Sequence, residues 1–173
     1  MSKWQRTFAA AACALNETHS QYNEDLLLLP TLLKARPRGD VWNPGVFLEL
    51  GAFDGKRLSN TYMLERCFSW TGLLVEANPS NYAKLRVSGR RATKLHSAVC
   101  PHGGTVKFTA KGGQVASQLA EDSKQHRRKW VQQLGKSGKL VSKLVSVPCA
   151  PLGSLIAKAG IGKPDFLSLD VCS

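Results

Sequence analysis

An apolar run that stops on an acid and then breaks at glycine, VFLELGAFDG over residues 46–55, constrains this chain more than any other stretch. Val46 to Leu50 has the unbroken hydrophobicity of a strand buried on both faces, which points to a parallel sheet covered by helices. Gly51 and the pair Asp54 and Gly55 then mark a turn, and loops at the carboxyl ends of such strands are where nucleotide-like ligands bind. The scheme recurs in TGLLVEANP, residues 71–79, where the second apolar run closes on Glu76. Two carboxylates at two strand ends make a cofactor site the leading expectation.

The remainder of the chain alternates in the same way. Residues 1–19 read as an Ala-rich helical extension. Lys3 and Arg6 ahead of TFAAAACAL, with Ala12-Cys13-Ala14 as a small-residue cleavage pattern, leave a targeting segment as the alternative to a cytoplasmic placement. From Ser20, SQYNEDLLLLPTLLKARP predicts a Ser-capped helix with Glu24 and Asp25 in its early turns, interrupted at Pro30 and finished before Pro37. A loop over residues 37–40 leads to the first strand. Ser59 and Asn60 are cap-type residues ahead of TYMLERCF, whose expected buried face is Tyr62, Met63 and Cys67. A second strand covers residues 73–77, Asn78 and Pro79 open the helix SNYAKLRVS, and a third strand covers 94–99. Gly103 and Gly104 turn the chain into TVKFTA.

Further on, KLVSKLVSVPC alternates as an exposed strand would, and PLGSLIAKAG is a short amphipathic helix closed by Gly160. DFLSLDV is read as another buried strand ending on an acid, Asp170. Strands alternating with helices predict an α/β fold, Rossmann-like, with an open and mainly parallel sheet and helices on both faces. At 173 residues, 43% hydrophobic and 21% charged, the chain is a single folded domain.

Charge matters because it is unevenly placed. The net charge is +12, and between Lys84 and Lys143 the only acids are Glu121 and Asp122. Such a field attracts anionic partners or is simply a solvated basic face. Within a basic insertion at 111–139, SKQHRRKWVQQL reads as a polar helix. GKSGK reads as a linker, because it lacks the GxxxxGK[ST] frame of a phosphate loop. Arg127, Arg128, Lys129 and Trp130 set cations beside an aromatic, but no nucleic-acid-binding motif accompanies them, so nucleic acid is not the expected partner.

The five cysteines, Cys13, Cys67, Cys100, Cys149 and Cys172, are odd in number and lack a CxxC pair, which predicts free and mostly buried thiols. Scattered histidines predict no metal. No run reaches the roughly 20 apolar residues of a membrane span.

Glycine spacing discriminates among cofactors. A dinucleotide needs GxGxxG so that a helix N-terminus meets its pyrophosphate. ELGAFDG carries acids in and beside the loop, which suits a cationic cofactor without phosphate, and S-adenosylmethionine fits that description. Gly51 lets the backbone approach closely, Glu49 and Asp54 accept from cationic or NH groups, and Glu76, with Asn78 beside it, accepts from ribose hydroxyls. The plainer reading makes Glu49 and Asp54 caps of neighbouring helix ends and leaves Asp170 solvated.

SQYNED (20–25), FLELGAFDG (47–55), SNTYMLER (59–66), W-TGLLVEANP (70–79), YAKLR (82–86) and DFLSLDV (165–171) occur in the order and at the spacing of one family. The chain resembles the FkbM family of S-adenosylmethionine-dependent methyltransferases from Ser20 to Val171, apart from the basic stretch at 124–143. The resemblance implies a class I methyltransferase fold, with Glu49, Gly51, Asp54 and Gly55 around the methionine part of the cofactor. It implies Glu76 on the ribose and Ser97 and Ala98 near the adenine, with Ala52, Asn60 and Asn78 completing the cofactor-binding set and Asp170 as the catalytic residue.

Members of the family methylate hydroxyls of sugars or secondary metabolites, so the implied partner is a small-molecule or glycan hydroxyl acceptor. After LDV the family continues with an EGAE-like turn, whereas here Cys172 and Ser173 follow. The expectation is therefore a domain lacking its C-terminal strands, with an exposed sheet edge open to self-association. The alternatives are a non-catalytic cofactor-binding fragment and a basic nucleic-acid-binding protein.

Overall fold

A computed structural model of the chain describes residues 2–34, 44–109 and 144–170. Two helices come first, α1 (Lys3–Glu17) and α2 (Glu24–Lys34), followed by β1 (Val46–Leu50), α3 (Tyr62–Phe68), β2 (Thr71–Glu76), α4 (Pro79–Arg86) and β3 (Thr93–His96). Next are β4 (Ala98–Val99), β5 (Gly104–Thr109), β6 (Leu144–Ala150), α5 (Leu152–Ala159) and β7 (Phe166–Leu169). The loop expected at 37–40, the basic insertion and Cys172-Ser173 lie outside the described residues.

The main sheet runs β3-β2-β1-β7, parallel throughout. The chain steps outward from β1 to β2 to β3, then returns across β1 to β7. Crossovers of one hand demand that the returning helix lie on the opposite face from the outgoing ones. Side-chain packing agrees. Leu155 of α5 joins Leu48, Leu50, Leu73 and Val75 in one core, whereas residues of α1, α3 and α4 meet Phe47 and Leu74 in the other. The result is an α/β fold with a parallel sheet flanked by helices, and its direction reverses between β1 and β7.

Several expectations need correction. The third strand is not continuous over 94–99. Ser97 separates β3 from β4, and β4 joins a second sheet of order β4-β6-β5. The strand in KLVSKLVSVPC is central there, parallel to β4 and antiparallel to β5. Its alternation buries Val147 and Cys149 against Ala98 and Phe108 rather than leaving the strand exposed. Helix α2 starts at Glu24, because Asn23 takes a left-handed φ of 59°, and it continues through Pro30 at the loss of one backbone bond. Helix α3 is enclosed more fully than its pattern suggests, with Met63, Leu64, Glu65 and Phe68 buried.

Strand β7 is not buried. Leu167 and Leu169 pair with Leu48 and Leu50 and share their face, but they stay 50% and 62% exposed because α5 lies over the β3 side of the sheet. Among the described residues, β7 is an edge strand of the main sheet.

Among the described residues, the four cysteines are paired rather than free. Cys13 bonds to Cys67, tying α1 to α3, and Cys100 bonds to Cys149, tying β4 to β6. Sequence distance hid both pairs, since packing of α1 on α3 and the β4·β6 register bring the Cα atoms to 5.7 Å and 5.8 Å. Paired cysteines persist in oxidising surroundings, which bears against a cytoplasmic placement.

The Cys13–Cys67 bond closes a loop of 54 residues. Loop entropy then predicts that Cys13→Ser with Cys67→Ser lowers stability by about 2–4 kcal/mol. Urea denaturation of the oxidised double variant against the parent measures it, and coincident curves would refute the bond's contribution.

Candidate functional site

Alternation along the strands sets the site. In β1, Phe47 and Glu49 face the α1–α4 side and Leu48 and Leu50 the α5 side; in β2, Leu74 and Glu76 face the former and Leu73 and Val75 the latter. Both carboxylates therefore lie on one face, at or near the carboxyl ends of adjacent strands. Ser168 of β7 pairs with Glu49 and is also buried.

The loop after β1 turns over these strand ends. The N–H groups of Gly51 and Ala52 both donate to the Val75 carbonyl, at 3.0 Å and 3.1 Å. Gly51 has a φ of 82°, and a Cβ there would lie 1.8 Å from the carbonyl oxygen of Asp170. No other residue fits. Phe53 is left-handed too, with φ 50°, an uncommon state for a bulky side chain that tends to mark a functional loop. This conformation aims the Phe53 N–H at Glu76 Oε2, 2.8 Å away, while the Asn78 N–H donates to Oε1 at 2.7 Å. Burial pushes the Glu76 pKa up; these amides, that of Ala77 and the Asn81 side chain partly offset it.

Glu49 has a different environment. Its Oε2 accepts from Ser59 Oγ at 2.9 Å and Thr61 Oγ1 at 2.6 Å, and its Oε1 accepts from the Asn60 N–H at 3.0 Å. Burial again pushes its pKa up, opposed first by the Arg90 guanidinium and then by these hydroxyls and the amide. Arg90 is the residue sequence reasoning missed. Its side chain is 1% exposed, bonded through Nε to Glu65 Oε2 at 2.9 Å and standing 4.0 Å from Glu49. It also donates to the Gly55 carbonyl, to Ser59 Oγ at 3.2 Å and to Thr61 Oγ1 at 2.9 Å. One guanidinium thus fixes both ends of the loop from Gly55 to Thr61. A single arginine in so basic a chain gave no signal, although Glu65 inside an apolar helix face was one, since a buried acid requires a partner.

The structure brings together Glu49, Gly51, Ala52, Gly55, Asn60 and Glu76, with the Asp170 backbone against Gly51. Asp54 follows the plainer reading, for its Oδ1 accepts from the Lys56 and Arg57 N–H groups and caps its own turn. Asn78 caps α4 by accepting from the Ser80 and Asn81 amides. Ser97 neighbours Glu76, donating its N–H to the Glu76 carbonyl, but its hydroxyl reaches the Pro148 carbonyl. Ala98 belongs to the core of the second sheet. Asp170 is exposed at the end of β7.

Asn60 is the most informative member. Its Nδ2 donates to Ser168 Oγ at 3.0 Å across the β1–β7 boundary, and its Oδ1 is buried without a hydrogen-bond partner. An orphan acceptor of this kind is costly unless a donor comes from outside the chain. Glu76, by contrast, is met by the Phe53, Asn78 and Ala77 amides and the Asn81 side chain. The site therefore suits a ligand that brings an NH donor to Asn60. Among the described residues, no group of three or more His, Cys, Asp or Glu is placed to hold a metal.

Removing Arg90 leaves two buried carboxylates without their cation, so Arg90→Ala is expected to cost about 3–5 kcal/mol in denaturant unfolding. The sign of its pH dependence follows from Glu49. A folded-state pKa above the unfolded value favours the protonated folded form, and losing Arg90 raises that pKa further. The deficit should shrink in mildly acidic buffer and grow in alkaline buffer. A deficit independent of pH would show that Glu49 is not the group left unpaired.

No family model, no curated protein and no solved structure matches this chain.

Proposed function

We propose that the chain is a methyltransferase of FkbM type that binds S-adenosylmethionine over the carboxyl ends of β1 and β2 and methylates a hydroxyl of a sugar or other small molecule. The observation that carries the reading is the Phe53 amide bonded to Glu76, which joins the β1 loop to the β2 acid beside the point where the sheet reverses direction. Open α/β sheets bind ligands at that point. The strand order β3-β2-β1-β7 is compatible with a Rossmann-like sheet.

In this reading Glu76 accepts from the two ribose hydroxyls, and its raised pKa makes that role depend on pH. Asn60 Oδ1 accepts from the ammonium of the methionine moiety, and Gly51 leaves room for its backbone approach. Ser97, whose N–H meets the Glu76 carbonyl, borders the adenine, while Ala98 stays in the second-sheet core. The bound cofactor supplies a methyl group already activated by its sulfonium. The protein's part is to align the acceptor oxygen and take up its proton, for which Asp170, exposed beside Gly51, is the proposed base.

A second reading, favoured by the exposed Leu167 and Leu169 on β7, is a cofactor-binding unit without transferase activity. Nucleic-acid binding would rest on residues 111–139 and draws nothing from the described geometry.

Calorimetric titration with S-adenosylhomocysteine tests the shared cofactor claim. Saturable binding is expected, with Glu76→Ala weakening it about tenfold to a hundredfold through loss of charge-assisted hydrogen bonds. Because burial raises the Glu76 pKa in the free protein, affinity should fall with decreasing pH at a midpoint above the ordinary glutamate range. Absence of heat, or equal binding by the folded variant, would overturn the proposal. Methyl transfer to hydroxyl acceptors separates the first reading from the second.

A further inference from the structure

His96 ends β3 and lies in register with Glu76, which ends β2, so the two side chains stand on one face of the sheet at its carboxyl end. Nothing in the proposed reaction uses it. Its half-buried ring stacks on Tyr82 of α4, with centroids 4.8 Å apart and planes 13° from parallel, and its Nε2 lies 3.0 Å from the Ala77 carbonyl oxygen. A carbonyl only accepts, so Nε2 carries the proton in that bond.

The Ala77 carbonyl and the Asn78 N–H belong to one planar peptide group, and that N–H donates to Glu76 Oε1 at 2.7 Å. Imidazole, peptide and carboxylate are therefore two hydrogen bonds in series, in which the first polarises the second. The Ser97 N–H donates to the Glu76 carbonyl at 3.2 Å, so residues 96 and 97 together hold both peptide groups that follow Glu76. Of the contacts that offset the burial of Glu76, the Asn78 amide is the largest. The charged side chains on the surrounding elements are engaged elsewhere. Glu49 of β1 faces Arg90, Asp54 of the following loop accepts from the Lys56 and Arg57 amides, Lys84 of α4 stands over the Phe53 ring, and Lys94 of β3 donates to the Arg90 carbonyl.

We propose that His96 is a positioning residue of the candidate site, whose Nε2–H holds the Ala77–Asn78 peptide so that its N–H stays on Glu76. The inference takes its functional meaning from the reading of Glu76 as the acid that meets the ligand. Its test reads Glu76 in the free protein, so the two fail separately.

Nuclear magnetic resonance provides that test. Two-bond proton–nitrogen correlation on the ¹⁵N-labelled parent should show neutral His96 as the Nε2–H tautomer. With glutamate labelled at its side-chain carboxyl carbon and the Glu76 signal assigned through Glu76→Gln, His96→Phe keeps a ring on Tyr82 but removes the donor. It should raise the Glu76 titration midpoint by about half a pH unit. His96→Gln, whose amide N–H can reach the same carbonyl, should restore the parent midpoint. An Nδ1–H tautomer in the parent would overturn the proposal, and that measurement needs no variant to fold. So would an unmoved midpoint in folded His96→Phe, or an equal rise in both variants, which would make loss of the imidazole packing the cause.

Discussion

The contact among Arg90, Glu49 and Glu65 is the constraint on which the rest of this structure depends. Three ionised groups taken out of water are costly, and a pair of acids held by one base is tolerable only where every remaining donor and acceptor is used. Here the donors of Arg90 reach Glu65, Gly55, Ser59 and Thr61, and the oxygens of Glu49 take Ser59, Asn60 and Thr61. The network therefore fixes a backbone path. The stretch from Gly55 to Thr61 has no regular structure, and its course over β1 is set by side-chain bonds from beneath. Replacing the cluster by apolar residues of equal volume would hold the volume without holding the path.

That path explains why two acids of similar sequence context do different work. Glu49 lies one residue before the end of its strand, under the loop, and its bonds all run to the protein. Glu76 is the last residue of its strand, and it is held by the amides of Phe53 in the loop after β1 and of Ala77 and Asn78 in the turn after β2. One residue's difference in position separates a carboxylate held by hydroxyls and a guanidinium from one held by backbone amides. Asn60 links the two environments, since its backbone serves Glu49 while its side chain spans to Ser168 and presents a free oxygen.

The strands, their parallel order and the turn at Gly51 were legible because each is written locally, as an apolar run, an acid and a glycine. The carboxylates were legible as a pair, but their separate roles were not, because these depend on Ser59, Thr61 and Arg90, as far as 41 residues along the chain from Glu49. Asp54 was misjudged for a related reason. A carboxylate two residues before an amide it can cap prefers that local bond to any ligand, and Asp-Gly turns make such a bond readily. The disulfides escaped because pairing is a property of packed elements. Nothing in the spacing of Cys13 and Cys67 reveals that α1 lies on α3. The break at Ser97 was hidden by continuous β-forming sequence, and only the change of sheet partner separates β3 from β4.

Two apolar surfaces remain uncovered, and they lie on opposite sides of the main sheet. The α1 stripe of Trp4, Phe8 and Leu15 is on the side of Phe47 and Leu74, and Leu167 and Leu169 are on the side of Leu48 and Leu50. A flat surface can meet only one of them. The two also differ in what they present. The α1 stripe is aromatic and its backbone hydrogen bonds are internal to the helix, so it presents side chains alone. Strand β7 presents leucines beside a sheet edge, and an edge offers backbone groups to another polypeptide. The disulfide between α1 and α3 keeps the two surfaces from exchanging roles, because it fixes which face of α1 looks outward.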